Sequence, residues 1–291
     1  MTDGESINDL IELLDLEEIE QNHYRGRSPS EGWQRVYGGQ VLGQALVAAS
    51  RTVPEDRHAH SLHGYFLRAG DTTTPILYTV DRIRDGRSFT TRRVVAIQHG
   101  RAIFNMSISF QIKEDGLTHQ MQMPQAPPPE ELPDEQELRK RWIKELPPEH
   151  ASAFDRERPI EVRPIDPQDL IHPEERPPHA MSWMKAREPL PDNQRLHQCV
   201  LAYLSDWSLL DTATLPHAVS FLQQQMQMAS LDHAMWFHRP FRADEWLLYV
   251  QDSPSASGTR GLNRGMIFTR DGELVASAAQ EGLMRLHGEQ G

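Results

Sequence analysis

HSLHGYFLRAGDTTTPILYTV, residues 60–80, returns in altered form as ASLDHAMWFHRPFRADEWLLYV at residues 229–250. A segment that recurs once in one chain marks duplication of a whole unit. With only two copies, two similar domains that pair are expected rather than a solenoid. The residues flanking each copy decide what the unit is.

Before the first copy, GGQVLGQALVAASRTV (38–53) places apolar residues at 41, 42, 45, 46, 48 and 49 and stops before Pro54, which predicts a helix. Its small residues Gly43, Ala45, Ala48 and Ala49 suit a helix enclosed by other elements, because small side chains let backbones approach. After it come four predicted strands: the repeated segment, then 75–84, 87–98 and 101–112, with hairpin turns at Asp85-Gly86 and His99-Gly100. AIFNMSISF (102–110) alternates cleanly, with Ala102, Phe104, Met106, Ile108 and Phe110 on one face. The second half repeats the order. DNQRLHQCVLAYLSDWSLL (192–210) predicts a helix with Asp192 as N-cap, and strands follow at 229–238, 246–252, 258–269 and 273–285. IEVRPID and AMSWMKARE read as further strands, and residues 7–20 as a short helix with an entering strand. The fold class is α+β: two tandem repeats, each with a central helix wrapped by an antiparallel sheet. The first repeat is assigned to 1–115 and the second to 158–291. Residues 116–157 between them, which include MPQAPPPEELPDEQELRKRWIKELPPEH, read as a proline-rich linker crossing the surface.

Bulk properties narrow the function. A formal net charge of −12 over 291 residues argues against nucleic acid as a partner, since that affinity comes largely from Lys and Arg on phosphates. Cys199 is the only cysteine, so no intramolecular disulfide can form and a cytoplasmic location is expected. The acidic, periodic start MTDGESINDLIELLDLEEIE does not read as a leader, and LHGEQG is not a retention address. No apolar run approaches the roughly 18 residues that would span a bilayer, so no membrane insertion is expected.

RVYGGQVLGQAL, HSLHGYFLRAGD, RDGRSFTTRRVVAIQHGRAIF, YLSDWSLLDTA, SLDHAMWFHRPF, EWLLYVQDSPSASGTRGLNRG and VASAAQEGLMR together resemble the acyl-CoA thioesterase II family, in the same order and over nearly the whole chain. The resemblance implies a double hotdog fold and hydrolysis of acyl-CoA to free acid and CoA. It implies no metal and no organic cofactor, and a homo-oligomer, dimer or tetramer. It also implies a catalytic trio in the second repeat: Asp206 of YLSD, Ser230 of ASLDH and Gln280 of VASAAQEG. The family pattern has threonine where this chain has Ser230, so the hydroxyl is kept and the methyl that stiffens the first side-chain torsion is lost. By the same alignment Ser61 would match Ser230 and Gln111 would roughly match Gln280, while the first-repeat helix offers no interior carboxylate.

The chemistry is consistent with such a trio. A thioester's departing thiolate has a pKa of about 8.5, so water attack rather than protonation of the leaving group is the difficult step. Asp206 would accept the proton of a water that Ser230 and Gln280 hold between them, and must be desolvated to be a useful base. Backbone N–H groups of Gly38, Gly39 and Gln40, where the first helix opens, are candidates for the oxyanion site, facing the second repeat's carboxylate across the pairing.

Other readings compete. Taken alone, Asp206 at a helix end is more often a structural carboxylate, and Ser230 and Gln280 carry little signal singly. His58, His60, His63, His233 and His238 lack metal-ligand spacing and read as strand or core histidines. A Ser230–His233 nucleophile and base is disfavoured, since residues three apart on a strand face opposite ways. Cys199 reads as inert packing, Arg260 and Arg264 as a solvated strand face ahead of contacts to CoA phosphates, and Trp207, Trp236 and Trp246 as core ahead of acyl-pocket walls. A hotdog hydratase or dehydratase acting on acyl thioesters, or an acyl-CoA binding sensor with little activity, are the alternative functions.

Overall fold

The computed structural model describes residues 7–29, 35–146, 158–223 and 225–287. The first repeat contains α1 (Ile7–Leu14), β1 (Glu17–Glu20), β2 (His23–Gly26), α2 (Gly38–Ser50), β3 (Arg57–Phe66), β4 (Ile76–Asp85), β5 (Phe89–Gln98) and β6 (Arg101–Ile112). After α3 (Glu135–Trp142), the second contains β7 (Ile160–Pro164), β8 (His179–Ala186), α4 (Gln194–Ser205), β9 (Met226–Ser230), β10 (Asp232–Phe237), β11 (Leu247–Ser257), β12 (Arg260–Thr269) and β13 (Leu274–Leu286). The strands run β1-β2-β4-β5-β6-β3-β10-β13-β12-β11-β8-β7, with β9 also on β13. The repeats therefore join edge to edge at β3 and β10, which pair antiparallel with Leu62 opposite Met235 and Gly64 opposite His233. This is the arrangement the duplication predicts.

From Phe104 onward the inward alternation of β6 holds, with Phe104, Met106, Ile108 and Phe110 buried beneath α2, but at its start Ile103 is buried in place of Ala102, where the pairing with β5 shifts register. The β5–β6 hairpin turns on His99 (φ 49°) and Gly100 (φ 69°), the left-handed pair a tight two-residue loop needs. The two central helices pack on each other, and the small residues of α2 permit it. A Cβ at Gly43 would stand 3.2 Å from the Cys199 carbonyl oxygen of α4, and one at Gly39 would overlap that of Tyr203. Buried Leu42, Ala45, Leu46, Val200, Leu201 and Leu204 form the shared core.

Three local expectations are corrected. Asn193, not Asp192, caps α4, its Oδ1 accepting from the backbone of Arg195 and Leu196. That helix ends at Ser205, because Ser208 takes a left-handed conformation (φ 59°) and a 3-10 turn follows over Leu210–His217. The strand expected over 229–238 is interrupted at Leu231. The register on β13 moves by one residue between Ser230↔Gly282 and Ala234↔Ala279, which is a β-bulge.

The segment before β7 is anchored rather than loose. Trp183 Nε1 donates to the Pro127 carbonyl at 2.8 Å, Arg163 Nη1 to that of Pro129 at 2.8 Å, and Met123, Ala126 and Leu132 pack on Trp183, Leu248 and Phe268. It covers the outer face of the second repeat's half-sheet. On the first repeat's side, Tyr65 and the adjoining Trp236 stay exposed, at 58% and 36%, so Trp236 is not core.

Candidate active site

Asp206 is the residue that ends α4. Its side chain is 6% exposed and sits where α4, the N-terminus of α2 and strands β9 and β13 converge. Gln280 Nε2 donates to Asp206 Oδ1 at 2.5 Å and lies 3.1 Å from Ser230 Oγ. Ser230 and the backbone N–H of Gly39 also donate to the carboxylate. Burial pushes the Asp206 pKa up, and these hydrogen bonds pull it back only in part. The carboxylate is held poised, neither freely solvated nor neutralised by a cation.

Asp206, Ser230 and Gln280, scattered over the second half of the sequence, are thus in mutual contact. They meet each other directly, 2.5 Å separating carboxylate from amide, so a water held by the trio would sit beside that contact rather than within it. Gln280 Oε1 remains buried without a hydrogen-bond partner, an acceptor that a donor from solvent or substrate could satisfy.

The N-terminus of α2 faces the carboxylate, as the sequence suggests. Tyr37 precedes it with no side-chain cap, leaving its first N–H groups to other partners. A Cβ on Gly38 would lie 2.6 Å from Asp206 Oδ2 and 3.0 Å from the Phe66 ring, so only glycine allows this approach. The Gln40 side chain turns away, donating to the Arg27 carbonyl and Ser28 Oγ.

Register also explains why only one repeat assembles the site. Phe66 pairs with Phe104 in the first repeat and Phe237 with Ala276 in the second. Counting along each strand from these pairs, Ser230 takes the place of Ala59, and Gln280 that of Ile108. The expected matches Ser61 and Gln111 are therefore corrected. Ala59 and Ile108 are buried and apolar, so the first repeat keeps packing where the second has chemistry.

Sequence reasoning missed several residues around the trio. His233 is buried, 3.3 Å from Gln280 Nε2 through Nδ1 and 3.0 Å from Ser205 Oγ through Nε2. The bulge at Leu231 puts it on the same side as Ser230, contrary to the opposite faces expected of an unbroken strand. Both face the Gln280 amide, and burial pushes the His233 pKa down to about 3, which disfavours the pair as nucleophile and base. Trp207, next to the carboxylate, meets the Tyr37 ring edge-on at 6.1 Å and donates its indole N–H to Glu135 of α3 at 3.1 Å. The first repeat has a bulge at the matching place, His60, between the pairs Ala59↔Phe110 and Ser61↔Ser109, so no difference in length between the two copies marks it.

The remaining candidates have local partners. His60 hydrogen-bonds Ser109 and His238 hydrogen-bonds Ser277, while His63 lies against the Trp236 ring. Among the described residues no group of three or more His, Cys, Asp or Glu side chains could hold a metal ion. Arg260 pairs with Glu281 and Arg264 with Asp252 on the sheet surface. Burial pushes the Cys199 thiol up to about 12, which makes it unreactive. Among the described residues no helix is long and apolar enough to cross a membrane.

Two family models match the sequence. The family described as acyl-CoA thioesterase matches residues 150–283, and its N-terminal-domain counterpart matches residues 27–111. The mouse protein acyl-coenzyme A thioesterase 8 is 46% identical, over 94% of this chain and 88% of its own. The crystal structure of an acyl-CoA thioesterase II from Mycobacterium marinum is 48% identical, with a TM-score of 0.77 over 94% of this chain and 97% of that one. A hot dog fold protein from Alicyclobacillus acidocaldarius, 18% identical, superposes with a TM-score of 0.75 over 95% of this chain and 98% of its own, a likeness of fold.

Proposed function

The chain belongs to the acyl-CoA thioesterase II family and hydrolyses acyl-CoA to free fatty acid and CoA; we propose that Asp206 is the general base of that reaction, with Ser230 and Gln280 fixing its geometry. The observation that carries this reading is the contact of Gln280 Nε2 with Asp206 at 2.5 Å and Ser230 at 3.1 Å in a nearly closed site. The attacking water is held beside the carboxylate–amide contact rather than within it. Its oxygen bonds to the thioester carbon while Asp206 takes its proton. The carbon–sulfur bond then breaks, and the departing thiolate, weakly basic, is protonated by Asp206 or solvent.

Negative charge on the carbonyl oxygen needs donors. Gly39 is engaged with the carboxylate, so the N–H groups of Gly38 and Gln40 at the same helix terminus are the oxyanion candidates. Each repeat would supply half of the site, base from one and oxyanion donors from the other.

Thiol release from a panel of acyl-CoAs, with Asp206→Asn alongside, tests the assignment. Loss of about 10²-fold or more in kcat in a folded variant is expected, in the range of general acid–base contributions. Undiminished hydrolysis would refute the base. CoA release also separates hydrolysis from hydration or binding alone, neither of which frees CoA. A covalent acyl-protein would instead make Ser230 the nucleophile.

A cytoplasmic location is in keeping with the lone reduced, buried Cys199. Self-association as a dimer or tetramer is in keeping with exposed Tyr65 and Trp236 on the outer face of the β3–β10 junction. Sedimentation of the wild type against Trp236→Ser tests that surface.

A further inference from the structure

We propose that His233 is a positioning residue that holds the Gln280 amide against Asp206. The inference rests on the reading of Asp206 as base and deepens it by naming what fixes its partner.

The argument is one of hydrogen-bond direction. The Gln280 amide group faces a carboxylate oxygen at 2.5 Å, so it presents N–H there. The amide has two N–H groups: one is spent on Asp206, and the other lies between Ser230 Oγ at 3.1 Å and His233 Nδ1 at 3.3 Å, so toward the ring this nitrogen can only donate and Nδ1 presents its lone pair. The ring proton then sits on Nε2 and points at Ser205 Oγ, 3.0 Å away. Ser205 can accept it because its own hydroxyl proton goes to the Ala202 carbonyl at 3.0 Å. The chain runs one way only: His233 to Ser205 to the α4 backbone, with Gln280 donating into the other ring nitrogen.

His233 Nδ1 and Asp206 Oδ1 are 3.9 Å apart, and Asp206 is the charged group facing the ring. A protonated imidazole would bond that carboxylate directly and displace the Gln280 amide. The neutral ring cannot, and burial keeps it neutral, with a pKa pushed down to about 3. The position is also polar only where the site is. By strand register the first-repeat counterpart of His233 is Leu62, fully buried, beside the apolar counterparts of Ser230 and Gln280. Packing alone is met by leucine in one repeat; the histidine accompanies the trio in the other.

Steady-state kinetics and pH profiles of His233→Leu, His233→Asn, Ser205→Ala and Asp206→Asn test this. Leucine removes the acceptor, and a loosened amide is expected to lower kcat by about 10²-fold with little change in KM. Because the Gln280 hydrogen bond lowers the Asp206 pKa, the acidic limb of kcat/KM should move to higher pH. Asparagine keeps an acceptor in the Nδ1 position and should restore most of kcat and the limb. Ser205→Ala leaves the ring but frees its tautomer, and should shift the limb in the same direction. If His233→Leu does not fold, Ser205→Ala and His233→Asn carry the test. A wild-type limb and kcat in the folded variants, beside an inactive Asp206→Asn, would overturn the positioning role and leave the base standing. Activity surviving in Asp206→Asn would remove the base itself.

Discussion

The Asp206 carboxylate, at the C-terminal end of α4, accepts the backbone N–H of Gly39 at the N-terminal end of α2, so the helix of one repeat is capped by the helix of the other. Asp206 stands at the negative end of its own helix dipole and at the positive end of its partner's. The second offsets part of what the first and burial take away. Gly38 makes the approach possible, since a Cβ there would stand 2.6 Å from Asp206 Oδ2. Gly38→Ala should therefore push the carboxylate off the α2 terminus and lower kcat by about 10²-fold, as small displacements at reacting groups do. Kinetics of a variant whose circular dichroism is unchanged checks this, and near-normal kcat would show that the approach is not needed.

The raised pKa of Asp206 has a kinetic and a thermodynamic consequence. The base works deprotonated, so the acidic limb of kcat/KM should lie above the ordinary aspartate value of about 3.9. For stability the sign is opposite. The folded state holds the Asp206 proton more tightly than the unfolded chain, so stability falls as pH rises from the unfolded pKa through the folded one. Asp206→Asn should accordingly melt at or above the wild-type temperature at neutral pH while losing activity. Thermal melts across that window measure it; a lower neutral-pH melting point would mean that the charged carboxylate stabilises the fold.

Ser230 donates to Asp206 and shares with His233 the second N–H of the Gln280 amide. Ser230→Ala should remove both bonds and reduce kcat by about tenfold or more, in line with loss of a hydrogen bond to a charged group. Ser230→Thr should keep both and stiffen the torsion, giving kcat at or above wild type. A threonine variant as impaired as alanine would show that the β9 terminus has no room for the methyl, and that serine is chosen by space.

The sequence makes the architecture legible because duplication, helical periodicity and strand alternation are each local signals. Gly38–Ser50 and the four strands after it follow the expected pattern closely. The trio's residues were legible only through motif resemblance, since nothing local distinguishes Gln280 from any other glutamine on a strand. What stayed hidden is non-local. The bulge at Leu231 depends on the partner strand, so strict alternation misplaced His233. The match of Gln280 to Gln111 failed because aligned letters carry no strand register, and pairing with β3 and β10 alone reveals Ile108.

Proline and charge mark a surface path for the linker without showing what it touches. Glu135 of α3 accepts the indole N–H of Trp207, the residue after the proposed base, at 3.1 Å. Arg158 stacks over the same ring at 3.8 Å and Arg139 at 5.1 Å. Trp207→Phe keeps a ring for both arginines and deletes only the bond to Glu135. A bond to a charged acceptor contributes about 1.5–3 kcal/mol, yet most of that should be spent locally, loosening α3 from the second repeat. The expected result is faster limited proteolysis within residues 124–146, with a melting temperature lowered by only a few degrees in keeping with about 1 kcal/mol in a protein of this size. Unchanged cleavage would show that Pro127, Pro129 and the cluster around Trp183 hold the segment by themselves, and that Glu135 steadies Trp207 rather than the reverse.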